Sequence, residues 1–282
     1  MTAATLPTLE APVGETARKT RSFYIRMAVA FLVIALIGFS MSYWVPLATG
    51  QFKGGPLVHI HGLAYVGWLV LLLTQSILAS RGEMRNHRAW GVAGVSLATA
   101  MVLLGEAVML HALTNGLATG GGDRVRAFAF MTGTLPLVFG GMVTAAILNV
   151  SKPETHKRLI LIATICILQA ATDRLVALLI RPFAAMYASS LGLAVPGPDA
   201  PPTPEFLAAV WFVPVIIFNG GTVLTDLLMV AGIVHDKRTT GRIHPAWLIG
   251  GGILVAYQIL RIPLSTTQAW YGVADWLVKS FG

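Results

Sequence analysis

The chain of 282 residues is 55% hydrophobic and only 11% charged, with a mean hydropathy of +0.72. Soluble domains carry about 25% charged residues, so a water-soluble globular fold is excluded. The net charge of +8 does not point to nucleic acid, because the basic residues sit in short turns between apolar runs rather than on one soluble face. A single cysteine, Cys166, lies within an apolar run and excludes an intrachain disulfide framework.

Residues 1–21 are polar and rich in Thr, Ala and Pro, and read as a disordered cytoplasmic tail. The next apolar run exceeds the about 7–15 residues of a signal-peptide core and reads as an uncleaved first span. Seven runs reach the about 20 residues that cross a bilayer. They cover 23–44, 57–80, 89–113, 126–150, 159–181, 206–234 and 245–264. Lipid supplies no hydrogen bonds to the backbone, so these spans must be helices. The expected fold is therefore all-α, a seven-helix transmembrane domain over 22–264.

The turns set the expected orientation. The tail through Arg26 and segments 81–88, 151–158 and 235–244 hold 13 Lys and Arg, and the alternate segments hold 5. Basic loops stay inside, which predicts a cytoplasmic N-terminus and a periplasmic C-terminus. The Pro-rich loop 182–205 is expected outside, and residues 265–282, with Trp270, Tyr271 and Trp276, are expected to lie along the outer interface.

Helix rise sorts the polar residues by depth. Counted from the inner end, His61, Glu106, Asp173, Arg174, Gln258 and Arg261 fall at about 20–28 Å. Charged groups at such depth face the bundle and pair, or line a site. They predict an outer-third pocket with His61 as ligand or proton-transfer group, Glu106 and Asp173 balancing charge, and Arg174 and Arg261 gripping an anion. The competing interpretation of the same groups is a salt-bridge lock between helices. On span 2, His61, Tyr65, Trp68 and Gln75 form one stripe. His59, two residues from His61, points nearly opposite if the segment is helical.

His59, His61 and His111 are candidate ligands for a transition metal, with Glu106 nearby in sequence terms. No His-x-x-x-His or Glu-x-x-His pair is present. A haem b would take axial histidines from facing helices, with His61 one candidate. His87, His156 and His244 form a second cluster at the inner ends of spans 3, 5 and 7, able to ligate one haem or metal, or to anchor at lipid headgroups.

The strings His59-x-His61-Gly62, His87-Arg88-x-x-Gly91, Pro153-Glu154-x-His156-Lys157-Arg158-Leu159 and Gly241-Arg242-x-His244-Pro245 resemble a group of bacterial multi-pass membrane proteins with no assigned activity. The likeness covers most of 57–265 and implies residence in a bacterial inner membrane. A fainter similarity is to cytochrome b561-type haem membrane proteins. Those pair histidines on facing helices at two depths, whereas spans 4 and 6 here have no mid-span histidine. A superficial likeness to seven-span zinc hydrolases lacks their last-span His-x-x-x-His.

Together these features predict a membrane protein that binds haem, a metal or a small polar ligand, with a redox role favoured. The alternatives are a structural accessory subunit, partnered with another membrane subunit, and a proton-linked or small-solute transporter.

Overall fold

The computed structural model describes residues 13–195, 203–210 and 212–282, with side chains from Ser22 onward apart from Pro204, Leu207, Pro214, Val215 and Phe218. All the regular structure among them is helical. The helices are α1 (Val13–Gly38), α2 (Val45–Ala48), α3 (Pro56–Arg81), α4 (Met84–Ala118), α5 (Gly122–Leu148), α6 (Pro153–Ser190), α7 (Pro204–Ala209), α8 (Phe212–Thr240), α9 (Pro245–Ser265) and α10 (Gln268–Phe281).

Five of them, α3, α4, α5, α6 and α9, are long and apolar enough to cross a membrane. A bent pair makes a sixth: α1 from Ser22, a π-helical turn at Ser40–Trp44 and α2, with a 46° bend. The seventh expected span falls on α8, only part of whose side chains are described. The chain is thus a multi-pass helical membrane protein with five to six candidate spans.

Helix ends depart from the sequence expectation in three places. Helix α1 already begins at Val13, so part of the expected tail is helical, in keeping with helix formers such as Glu15, Ala17, Arg18 and Lys19; residues 1–12 lie outside the described part. The segment 182–190, expected in the outer loop, continues α6. Pro182 removes one backbone donor but does not end the helix. At 35 and 38 residues, α4 and α6 are about 52–57 Å long, well beyond the about 30 Å hydrocarbon core.

Helix α6 is the hub, packed against α1, α5, α8 and α9, with an unbroken buried run from Leu161 to Gln169. Helices α1, α3, α4, α5 and α6 close a ring, each touching the next. In lipid, helices gain little from hydrophobicity and associate through close packing, which small residues allow. A methyl group at Gly38 would collide with the Ala171 carbonyl, so α1 and α6 meet backbone to backbone there. Gly232 of α8 likewise makes room for Trp247 of α9, which is 2% exposed.

The end of the bundle holding the α3–α4, α5–α6 and α8–α9 turns is the basic end. There Arg158 of α6 makes two hydrogen bonds to Asp236 of α8, at 2.7 and 2.6 Å, and a third ionic contact to Glu154 at 2.6 Å. Phe23 of α1 stacks on His235 with ring centroids 3.9 Å apart. At the opposite end, α10 lies across the ends of α4 and α5. It is fixed by Trp270 Nε1–H donating to the Arg126 carbonyl at 2.6 Å and by an Arg126–Asp275 ion pair at 2.8 Å.

Candidate functional site

The stripe on α3 is the axis of the interior. Its outer part carries His61, whose ring lies 4.2 Å from that of Tyr65. One turn further, Trp68 donates from Nε1 to the Thr164 hydroxyl of α6 at 3.0 Å and meets Phe139 of α5 edge-on at 5.1 Å. Trp68 forms the inner wall of a cavity at the basic end, bounded by α3, α4, α5 and α6 with Tyr24 of α1 at its side.

This cavity has a volume of about 290 Å³ and is partly open. That is the lower end of the about 300–1,000 Å³ range of small-molecule sites. Its walls are chiefly apolar, from Leu71, Leu72, Val95, Val143, Ile147 and Ile160, with Gln75, His87, His156 and Lys157 as the main polar members. On α4, His87, Gly91 and Gly94 share a face, so beside the imidazole the wall is bare backbone.

The two histidines are held alike. His87 Nδ1 lies 3.3 Å from the Gln75 carbonyl, and Gln75 Nε2 donates back to the His87 carbonyl at 3.0 Å. His156 Nδ1 lies 2.9 Å from the Ala146 carbonyl, in the last turn of α5. A carbonyl only accepts, so each Nδ1 carries the hydrogen. In a neutral imidazole, Nε2 then keeps its lone pair. Both imidazoles line one apolar cavity, close enough to influence each other electrostatically. The Gln75 Oε1 atom, also at this cavity, is buried without a hydrogen-bond partner among the described residues. Lys157 stands at the rim, paired with Glu154 at 2.6 Å and 4.9 Å from the centre of the Tyr24 ring.

The third inner histidine is elsewhere. His244 precedes α9 and its Nδ1 accepts from the Ala246 backbone N–H at 3.1 Å, which makes it a helix cap. Burial, and next the nearby Arg158 charge, hold its proton affinity below the ordinary imidazole value.

The polar groups expected in one outer layer divide by helix. Arg261 of α9 donates to the Thr222 hydroxyl of α8 at 2.9 Å, and Gln169 of α6 donates to the same oxygen at 2.8 Å. Gln258 of α9 donates to Asp226 at 3.1 Å. The Asp173 carboxyl rests against Gly221, where a methyl group would collide with it, and feels the Arg261 charge. Asp173, Gln258 and Arg261 therefore meet at the α6–α8–α9 junction. Thr222 and Asp226, which complete this group, lie one turn apart on one face of α8; counting residues along the span sets Asp226 nearer the basic end than the rest of the layer, yet Gln258 reaches it. Arg174, next in sequence, points outward and lies 4.5 Å over the Phe39 ring. Glu106 and His61 belong to the other side, at α3–α4–α5.

The candidate metal ligands His59, His61 and His111 have separate neighbourhoods. Helix α3 starts at Pro56, so His59 and His61 are helical and diverge. His59 hydrogen-bonds the Tyr43 hydroxyl at 2.8 Å beside Phe52. His111 is exposed and 3.0 Å from the Asn115 amide. Among the described residues no three His, Cys, Asp or Glu side chains assemble as a metal site.

The fold and the cavity define a class, a helical multi-pass membrane protein with an internal apolar pocket. The chain matches no protein-family model, and no curated protein or solved structure matches it.

Proposed function

We propose that the protein is a redox cofactor-binding protein of a bacterial inner membrane, crossing it seven times with the basic end inside, and that its cofactor is a b-type haem at the basic-end cavity. One observation carries this reading: the His87 and His156 imidazoles, each tied through Nδ1 to a helix carbonyl and so left with Nε2 as the lone-pair nitrogen, both line one apolar cavity. Such second-shell hydrogen bonds fix the tautomer and raise the basicity of a metal-ligating imidazole. Two imidazole donors and apolar walls suit the group, and the cavity of about 290 Å³ has to widen to admit it. His87 and His156 would hold the iron, Gly91 and Gly94 leave the wall beside His87 flat, and Lys157 would meet an anionic edge. A haem supplies one-electron chemistry when bound. The chain's own part is to orient two imidazoles within chiefly apolar walls, with Trp68, backed edge-on by Phe139, at the inner end.

The test is the absorption spectrum of the detergent-purified protein, as isolated and after addition of hemin. A Soret band is expected, lost in His87→Ala and in His156→Ala and retained in His244→Ala. A parent protein that folds yet shows no Soret band in either preparation overturns the reading. A second reading, a structural accessory subunit, is favoured by the interlocked Gln169–Thr222–Arg261 group. It requires that a membrane partner copurify and that the His87 and His156 variants leave that partnership intact.

A further inference from the structure

The acids within the bundle differ in what compensates them. Asp236 has Arg158, Asp226 has Gln258, and Asp173, although its Oδ1 also lacks a hydrogen-bond partner, has the Arg261 and Arg174 charges close by. Glu106, about two thirds of the way along α4, has none. Its Oε1 is buried without a hydrogen-bond partner, and among the described residues no Lys, Arg or His lies within ion-pair distance of it. Its other oxygen, Oε2, would stand 3.3 Å from a Cβ at Gly133, so α5 presents bare backbone to it.

The groups facing Glu106 are few. From α3 come the Tyr65 hydroxyl, which lies 3.4 Å from the Met101 carbonyl, and further along the His61 ring. The charges of α5, Asp123, Arg124 and Arg126, are at its outer end, two turns or more from Gly133. Asp275 of α10 is occupied by Arg126, and Lys279 lies in the last turn of the same helix. A carboxylate without a counter-charge at membrane depth costs several kcal/mol, about 2.5–3.5 on insertion scales, and the neutral acid avoids this cost.

We propose that Glu106 is a proton-binding site: a carboxylic acid that holds its proton inside the membrane, on the α3–α4–α5 side, separate from the cavity at the basic end. The ligand is the proton itself, and the site exchanges it through the Glu106 Oε1 atom, which nothing else engages. Leu103 on the same helix is 66% exposed to the surroundings, so an apolar reagent can reach this level of α4 from the lipid.

N,N′-dicyclohexylcarbodiimide tests this directly, because it reacts with protonated acids in apolar surroundings. The acid proton moves to one carbodiimide nitrogen while the carboxyl oxygen bonds the central carbon, and acyl migration to nitrogen leaves a stable adduct with no atom lost. The full-length protein in liposomes would be labelled across a pH series and mapped by peptide mass spectrometry. The adduct is expected on the Glu106 peptide, at a yield that falls as pH rises, and absent from Glu106→Gln. Glu106→Gln keeps the shape of the neutral acid and is expected to melt with the parent. Tyr65→Phe is expected to keep the label. An unlabelled Glu106 peptide at every pH, in protein labelled at other acids, overturns the proposal, as does a yield independent of pH. The labelling does not depend on haem content, so its outcome is independent of the cofactor reading.

Discussion

Single residues at the basic end carry sharply different energetic roles. Arg158 and Asp236 are 3% and 2% exposed in their side chains, so removing one partner strands a buried charge. Arg158→Ala is expected to cost about 3–5 kcal/mol, whereas the double change Arg158→Met with Asp236→Leu should be near neutral. Detergent unfolding curves of the three proteins would check this. His244 acts through pH. Its Nδ1 lone pair caps α9 and its folded-state proton affinity lies below the ordinary value of 6.5. Its contribution is therefore complete above pH 6.5 and is lost as pH falls through 6.5 toward the lower folded value. His244→Asn keeps a capping oxygen that does not titrate. Parent and variant should melt in parallel above that pH, and the parent should lose up to about 1 kcal/mol relative to the variant below it.

At this scale the sequence was partly legible. The divergence of His59 from His61 follows from about 100° per residue, and the chain confirms it as soon as α3 starts at Pro56. The roles of His87 and His156 did not follow. A histidine beside Arg or Lys at a helix start fits a headgroup anchor equally well. What turns these two inward is the carbonyl each finds on a neighbouring helix, at Gln75 and Ala146, and no spacing within one helix encodes that.

At the scale of elements, apolar length located the membrane-crossing helices, since a span is a count of residues before it is a fold. Their ends were less legible. Helix α4 runs past its apolar stretch into polar residues at both ends, and α6 runs on past Pro182 through Phe183, Met186 and Tyr187, so neither end is marked by hydropathy alone. Element packing also makes predictions. Gly38→Leu would force α1 away from Ala171, and overpacking of this kind costs about 1–3 kcal/mol. The loss should exceed that of Gly252→Leu, where nothing lies within 4 Å of the added carbon. Thermal melts in one detergent would rank the two. Helix α10 is tied down chiefly by Trp270 and Arg126, so Trp270→Ala should speed proteolysis of the C-terminal segment while leaving the rest of the bundle intact.

For the molecule as a whole, the ring of α1, α3, α4, α5 and α6 makes the cavity, while α8 and α9 flank α6 and supply the outer polar junction. The depth count grouped Asp173, Gln258 and Arg261, which meet at the α6–α8–α9 junction, because residues at one height on neighbouring helices can meet. It also grouped Glu106, His61 and Arg174 with them, because height says nothing about azimuth. Arg174 faces outward on Phe39, and Glu106 belongs to another interface.

The Asp173–Arg261 proximity has a consequence for how the chain is made. Asp173 emerges from the ribosome with α6 and its neighbour Arg174, which faces outward, but the Arg261 charge, the stronger of the two on it, arrives only with α9, two long helices later. Until then the acid has only Arg174 beside it, and the α6–α8–α9 junction lacks its cation. Biogenesis should therefore stall with α6 held at the insertion machinery, to be released once α9 is synthesised. A chain stopped after residue 243 is expected to stay bound there and be degraded. The same truncation carrying Asp173→Asn should survive longer in a pulse-chase.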